Sequence, residues 1–228
     1  EPVPVAKAMA AASLFENHVK YIYKNDRTAG SIRGNIFDLG VSVSDATLRH
    51  ARRIVASFGA NTFWTNADHY CPDYDVFLQE GIPGRLARID NALKAHAGDQ
   101  KRETTLRAMK IAMQGFANMV KGYGEAALAR AAQEDVTPTQ REELAEVGET
   151  CLFLTRSKPE TFRQALQLVF LTHTAFLYEE RYAMALGRMD QYLWPFYEKD
   201  LAEGRLTREE AQSLLECAFI KLGERQYR

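Results

Sequence analysis

The densest group of chemically capable side chains lies in a polar turn at positions 66–74, which contains Asn66, Asp68 and His69. A histidine near neutrality can donate or accept a hydrogen bond and assist proton transfer. Polar loops of this kind often carry function, because rigid neighbouring elements hold them in place. The alternative is structural: His69 caps backbone carbonyls and Asp68 is an ordinary turn residue.

Two side chains outside that turn could also line a binding cavity. Phe63 lies in a strand-like stretch before the turn, and its ring could form an aromatic wall or simply pack in the core. Arg188 lies in a turn at residues 187–191, where it could reach a cavity or pair with Asp190 and fix the turn. Residues 184–186 are apolar, which weakens a direct polar contact from this turn. Both alternatives stay open at each position.

The cysteines and histidines show no pattern for a metal site or a disulfide framework. Cys71, Cys151 and Cys217 are far apart and form no Cys-x-x-Cys pair, and the five histidines show no i, i+4 pairing. No Walker loop, Gly-x-Gly-x-x-Gly stretch or Gly-x-Ser-x-Gly elbow is present either. We therefore predict no metal site, and these motifs alone name no reaction.

The composition is that of a globular domain. Lysine and arginine total 29 against 30 acidic residues, a formal charge of −1, and 46% of the residues are hydrophobic. This balance gives no electrostatic reason to expect nucleic acid or an anionic membrane as a partner. No apolar run reaches the ~18 residues of a membrane span, and the N-terminus lacks the basic start of a secretory signal. We therefore expect a cytoplasmic protein.

Helical patterns dominate the second half of the chain. Apolar residues between 104 and 134 alternate at spacings of three and four, which predicts one long helix whose small flanking residues permit close packing. Capping patterns at Thr137, Ser157 and Thr207 predict three further helix starts, and Gly204 predicts a helix end. The long stripe consists of Leu106, Met109, Met113, Phe116, Val120, Tyr123 and Ala127. The helix from Ser157 should bury Phe162, Leu166, Val169, Phe170 and His173, the last as a satisfied core histidine.

The stretch from 30 to 84 is different, being rich in glycine, asparagine, aspartate and serine. Residues 35–43 form an apolar stretch, residues 61–65 could form a short strand, and Ser44 and Asp45 look like the N-cap of a helix through Val55. We therefore expect a mainly α-helical fold, with a few short strands from the first 75 residues or so and no internal domain boundary.

Several segments resemble the signatures of one known family. They are residues 69–81 (HYCPDYDVFLQEG), 159–167 (PETFRQALQ) and 186–200 (LGRMDQYLWPFYEKD), with weaker similarity at 26–30 and 204–222. In this order they resemble the N-terminal half of the glycyl radical enzymes, the pyruvate formate-lyase-like family.

The resemblance implies that residues 1–228 are the N-terminal part of a pyruvate formate-lyase-like domain, which in complete members is a ten-stranded α/β barrel wrapped by helices. It implies a lyase, dehydratase or formate acetyltransferase-like transferase of anaerobic metabolism. It implies a glycyl radical as the cofactor of the complete enzyme and a radical S-adenosylmethionine activating enzyme as its partner. It also implies a cavity for a small-molecule substrate, lined by Phe63, Asn66, Asp68, His69 and Arg188.

The chain also departs from the family pattern. Members are several-fold longer, and both their thiyl-forming cysteine, which follows the segment matching Lys221, and their radical glycine are missing from this sequence. No cysteine here is assigned to catalysis, since buried thiols in helices are usually small core residues. We therefore expect the 228 residues to be inactive alone.

Three origins of such a chain stay open: a truncated product, one half of a split enzyme, or a crystallised fragment. Sheet edges and apolar helix faces should be exposed without the rest of the barrel, which predicts self-association or a missing C-terminal chain. The alternative function is a non-catalytic helical interaction module derived from this family. The substrate and the bond cleaved are not readable from these residues.

Overall fold

Helices account for the regular structure of the described residues. The computed structural model describes residues 1–31, 69–179, 181 and 183–225, together with single helical positions at 46, 49 and 53. The described helices are α1 (Val3–Asn17), α2 (Tyr74–Ala95), α3 (Gln100–Ala131), α4 (Pro138–Leu154), α5 (Phe162–Tyr178), α6 (Met189–Tyr192), α7 (Trp194–Ala202) and α8 (Arg208–Leu222), followed by a 3₁₀ turn at Gly223–Arg225.

Helix α3 is the spine against which α1, α2 and α4 pack. A Cβ atom on Gly115 would lie 2.5 Å from the Cα atom of Ala12, so α1 and α3 approach as closely as the small residues of the stripe predict. The predicted apolar stripe is wrong near its start, because Met109 is not buried but 53% exposed. Ala108 makes the contact instead, packing on Val5 and Ala8 of α1, since small side chains allow the shortest distance between these helices.

The predicted capping boxes at Thr137 and Thr207 are confirmed. At the start of α4 the Thr137 hydroxyl accepts from the Gln140 N–H, and the Gln140 side chain accepts from the Thr137 N–H. Thr207 and Glu210 make the same pair of bonds at the start of α8. Two free N–H groups are thereby satisfied at each helix start.

Helix α5 begins later than predicted. Its N-cap is Thr161, paired with Gln164 in a capping box, and not Ser157. The N–H of Ser157 is used by the end of α4, where it donates to the carbonyl of Phe153 at 3.0 Å. The first N–H of α5, that of Phe162, donates to the buried carboxylate of Asp200 in α7 at 2.7 Å, and Arg205 pairs with the other oxygen of Asp200. Two devices therefore fix the start of α5.

The buried side of α5 agrees with the predicted one. Phe162, Leu166, Val169, Phe170 and His173 are all buried. The imidazole is not satisfied as expected, because among the described residues no group hydrogen-bonds to its Nδ1 atom. Burial lowers the pKa of His173, since a charged ring would lack water there.

Glycines with a positive φ allow a bend in one helix and the end of another. Helix α2 bends at Gly81, where φ is 66° and a Cβ atom would lie 2.6 Å from the Cα atom of Lys158. Gly204 follows α7 with φ of 67°, and its N–H donates to the carbonyl of Leu201, which confirms it as the helix-ending glycine.

The mainly helical prediction is confirmed, and the described residues include no strand. The apolar stretch at 35–43 and the possible short strand at 61–65 lie outside the described residues. The core is continuous across α2, α3, α4, α5 and α8. Its largest fully buried side chains include Tyr74, Leu78, Ile82, Met119, Tyr123, Leu144, Leu154, Leu166, Leu168, Leu171 and Leu214.

Candidate functional site

Two of the resembling segments meet beside the C-terminal end of α5. The N–H of His69 donates to the carbonyl of Ala183 at 3.1 Å, and the N–H of Ala185 donates to the carbonyl of Tyr70 at 3.0 Å. The ring of Tyr70 stands edge-on to Phe176 in the last turn of α5. We call this contact between residues 69–71 and 183–187 the loop junction. It places the histidine turn directly beside the turn that contains Arg188.

Side-chain contacts hold the loop junction together in addition to the backbone hydrogen bonds. The Sγ atom of Cys71 faces Gly187 so closely that a Cβ atom there would lie 2.5 Å from it. The Tyr192 hydroxyl donates to the carbonyl of Leu186 at 2.7 Å, and its ring packs on Tyr74 with centroids 5.6 Å apart. Residues that are 114 to 118 positions apart in sequence thus form one unit.

His69 has an unusual backbone conformation. Its φ is 64°, and of the described non-glycine residues it alone has a positive φ. Histidine, asparagine and aspartate tolerate this left-handed region better than most residues do. Its side chain is exposed on this chain. An enclosed cavity around it would therefore need walls from beyond the residues described here.

Arg188 has a partner in its own turn. Its guanidinium donates two hydrogen bonds to Asp190, at 2.9 and 2.7 Å, and both side chains are exposed. The hydrogen bonds from Arg188 hold the pKa of Asp190 below its usual value. This geometry gives direct support to the turn-fixing alternative for Arg188. The other candidates, Phe63, Asn66 and Asp68, lie outside the described residues.

A second polar region, residues 26–31, overlaps the segment 26–30 that showed only weaker similarity in sequence. We call it the clamped segment. The side-chain amide of Gln167 accepts from the N–H of Ala29 at 2.7 Å and donates to its carbonyl at 2.9 Å. Gly30 has φ of 115° and leaves no room for a side chain against Phe170 and Thr174. The segment is therefore held much as a strand is held by a neighbour.

The end of the clamped segment is fixed by three helices or turns at once. The Ser31 carbonyl accepts from the hydroxyls of Tyr123 and Tyr178, at 3.2 and 3.0 Å, and the Ser31 hydroxyl donates to Glu224 at 2.7 Å. The two tyrosine hydroxyls also lie within hydrogen-bonding distance of each other, so either of them can direct its single proton to the other oxygen instead of to Ser31, and the ring of His18 stacks on Tyr178. Burial raises the pKa of both tyrosines, so they remain neutral donors.

Charged groups anchor the start of the same segment. Asp26 pairs with Lys221 at 2.8 Å, with side-chain exposures of 6% and 4%. Burial raises the pKa of Asp26, and the neighbouring Lys221 charge opposes that rise. Arg27 makes two bonds to Glu143, and Arg163 reaches the same carboxylate at 3.2 Å. These contacts join residues that are far apart in sequence, so no local pattern indicates them.

The comparisons with known proteins decide the family. A family model described as pyruvate formate lyase-like matches residues 42–227. The chain belongs to this family. Trans-4-hydroxy-L-proline dehydratase of Clostridioides difficile is 36% identical over 63% of the chain. Isethionate sulfite-lyase of Nitratidesulfovibrio vulgaris is 30% identical over 74% of it. The chain spans only 18% and 20% of the lengths of these relatives.

Solved structures place the pyruvate formate lyase-like helices in a larger fold. A glycyl radical enzyme from Archaeoglobus fulgidus superposes with a TM-score of 0.79 at 25% identity, covering 98% of this chain and 36% of that one. The B12-independent glycerol dehydratase of Clostridium butyricum gives 0.82 at 19% identity, covering 98% and 35%, and shows the fold alone. The described helices therefore correspond to one part of the barrel fold of those enzymes.

The three thiols of this pyruvate formate lyase-like chain differ in setting. Cys151 is buried in α4, and burial raises its pKa to about 12, so its thiolate is scarce near neutrality. Cys217 is half-buried in α8, and Cys71 is exposed in the loop junction. Burial of Cys151 confirms the core role expected for a cysteine in an apolar helix.

Two surface clefts lie elsewhere on the described part of the chain. The surface clefts of about 590 and 390 Å³ lie between α2 and α3 and between α1 and α3, away from the loop junction. Across the described ranges, no group of three or more histidine, cysteine or acidic side chains could hold a metal ion. No described helix is both long and apolar enough to cross a membrane.

Proposed function

We propose that this chain forms part of the substrate-cavity wall of a glycyl radical lyase or dehydratase. The proposed substrate-binding residues are Phe63, Asn66, Asp68, His69 and Arg188, within a pyruvate formate-lyase-like domain that includes residues 1–228. One observation carries the proposal. The loop junction brings the turn of His69 and the turn of Arg188 together, although 119 positions separate these two residues in sequence.

A hydroxylated small molecule suits the proposed role of His69. Hydroxyproline, isethionate and sulfopropanediol, the compounds named for similar proteins, all contain a hydroxyl group. An imidazole can accept a hydrogen bond from such a hydroxyl or donate one to it, and can assist the movement of its proton. We propose a small hydroxylated compound as the substrate class.

The charge of the substrate would determine what Arg188 does. Its guanidinium already makes two charge-assisted bonds with Asp190. A carboxylate or sulfonate could bind Arg188 only by replacing that partner, whereas a neutral polyol would leave the pair intact. Because the pair is exposed, replacement by a bidentate anion costs little desolvation.

The radical chemistry would come from residues beyond these 228. In the complete enzyme, a glycyl radical would supply the chemistry of hydrogen abstraction from substrate. The described cysteines fit packing roles here, since Cys151 is buried and the Sγ atom of Cys71 lies against Gly187. We propose that further polypeptide supplies the thiol and the glycine, and that a radical S-adenosylmethionine enzyme activates the assembly. The cytoplasmic and anaerobic setting, and a transferase activity, stay predictions.

The test is a reconstituted enzyme with one loop histidine changed. The chain would be produced with the polypeptide encoded downstream, activated, and examined by electron paramagnetic resonance for a glycine-centred radical. Turnover would then be measured on the hydroxylated compounds named above. His69→Asn should lower kcat/KM by ~10²-fold or more without reducing the radical signal.

His96→Asn is the matched control, because His96 lies at the end of α2, away from the loop junction. It should leave kcat/KM unchanged. Unchanged turnover of His69→Asn, or no glycine radical in the activated complex, would overturn the proposal.

A second candidate function is a non-catalytic interaction module. It is favoured by the continuous core that the described helices bury, and by the apolar side chains left on α8, where Phe219 is 54% and Ile220 74% exposed. Such a module needs no companion polypeptide with the missing cysteine and glycine motifs. The downstream genomic sequence distinguishes the two functions, since only an enzyme requires both motifs.

Both functions predict a partner for that apolar face. Phe219 and Ile220 lie next to each other, so their exposure leaves a hydrophobic patch on the surface. Size-exclusion chromatography with light scattering should show self-association of the chain alone. A monodisperse, highly thermostable monomer would contradict this expectation.

A further inference from the structure

The loop junction contains a contact that neither motif explains by itself. Gly187 has φ of 67°, a conformation that favours glycine, and the Sγ atom of Cys71 occupies the space where a side chain would begin. The sulfur thus lies against the backbone of the turn that carries Arg188. Cys71 is also two residues after His69, on the same short turn.

We propose that the Cys71–Gly187 contact is a positioning device that sets the conformation of His69. The inference rests on the proposed binding role of His69. Two backbone hydrogen bonds join the turn at 69–71 to residues 183–185, one from the N–H of His69 and one to the carbonyl of Tyr70. These bonds fix the direction of the turn. The contact of the sulfur with Gly187 fixes the distance between the turn and residues 183–187. Together they hold His69 at a positive φ.

The chain contains a natural control for this idea. Gly204 has the same φ of 67° as Gly187, but no atom lies within 4 Å of the position that its Cβ would take. Gly204→Ala therefore reports the cost of the left-handed conformation alone. Gly187→Ala adds the overlap with the sulfur. Cys71→Ala removes that overlap, because the nearest remaining atom, the Cβ of residue 71, is 3.9 Å away.

The experiment uses the 228-residue chain and four variants: Gly187→Ala, Gly204→Ala, Cys71→Ala and the double variant Cys71→Ala/Gly187→Ala. Ring resonances of the five histidines would be followed by NMR, with the other four as internal references. Deuterium exchange of the His69 and Ala185 amides would be measured in parallel.

Gly187→Ala should shift the His69 ring resonance and speed exchange of both amides by ~10- to 100-fold, because the turn must move away from the new methyl group. The double variant should return both signals toward those of Cys71→Ala, while Gly204→Ala leaves them unchanged. If Gly187→Ala fails to fold, recovery of the fold in the double variant still supports the contact.

The positioning role is overturned if Gly187→Ala leaves the His69 signals in place, or if the double variant shows no recovery. Its failure can be separated from failure of the proposed function. Unchanged resonances in Gly187→Ala together with lost turnover in His69→Asn would remove the positioning role only. Shifted resonances with full turnover in His69→Asn would remove the binding role.

Discussion

The clamped segment and the loop junction both meet the C-terminal part of α5, yet they are held in opposite ways. The clamped segment is buried and fixed by side chains, among them Gln167, Tyr123 and Lys221. The loop junction is exposed at His69, and backbone bonds link its two chain segments, with the Cys71 and Tyr192 side chains packed beside them. A buried polar segment must have every group paired, so changes there cost stability. Replacing an exposed histidine should change the stability of the fold little. The effect of replacing His69 should instead appear in ligand binding.

The largest loss of stability should follow Gln167→Leu. The substitution leaves the buried N–H and carbonyl of Ala29 without partners, at ~1–3 kcal/mol for each group, or about 2–6 kcal/mol in total. Urea unfolding measures the loss. Gln114→Leu, on the exposed side of α3, is the control and should change the free energy of unfolding little. Equal effects of the two changes would show that the clamp adds no stability.

Lys221→Met should cost about 3–5 kcal/mol, because it leaves the Asp26 carboxylate buried without its partner. The same unfolding measurement applies, with Lys101→Met as an exposed control. A double variant, Asp26→Asn/Lys221→Met, removes both charges and should recover most of the loss. If the double variant is no more stable than the single one, the ion pair is not the cause.

Acid should weaken the clamp through Glu143. Burial alone would raise the pKa of this carboxyl, but the hydrogen bonds from Arg27 and the charge of Arg163 outweigh burial, and the pKa lies below its ordinary value. Such a group stabilises the fold above the unfolded-state pKa of ~4.3, and this stability is lost as the pH falls through the lower folded-state value. The free energy of unfolding should therefore fall on acidification below about pH 4.3.

Glu143→Gln should flatten that fall, as measured by urea unfolding at a series of pH values. The exposed neighbour Glu142 provides the control variant Glu142→Gln. An unchanged slope in Glu143→Gln would assign the acid sensitivity to other groups.

The smallest change in stability belongs to the loop junction. His69→Asn should shift the free energy of unfolding by no more than ~0.5 kcal/mol, since the side chain is exposed and asparagine tolerates a positive φ. Thermal unfolding would check it. A loss of several kcal/mol would mean that His69 serves the fold, and the contrast between the two regions would disappear.

Much of the fold could be predicted from the sequence because the helix signals are local. Thr137 and Thr207 start helices where their capping patterns indicate, and Gly204 ends one. The predicted helix start at Ser157 was wrong because the same capping pattern recurs at Thr161. Only the contact with Asp200 favours the later start. The prediction that Met109 is buried was wrong. A stripe of apolar residues does not show where a neighbouring helix comes so close that only a small side chain, here Ala108, fits between the two helices.

The candidate site was less predictable. The resemblance identified the turns of His69 and Arg188 and noted residues 26–30, but the sequence did not indicate what holds them. The pairing of Gln167 with Ala29 spans 138 positions, and the contact of Cys71 with Gly187 spans 116. Such contacts depend on the packing of several helices, so no short pattern encodes them.

The buried carboxylate of Asp200 has one more consequence. It lies in the last turn of α7, yet it satisfies the first N–H of α5, 38 positions earlier in the chain. Removing a single residue between Leu193 and Lys199 would rotate the end of α7 by about 100° and swing this oxygen away from its donor. We therefore expect homologous chains to accept substitutions in the segment 186–200 far more readily than gaps.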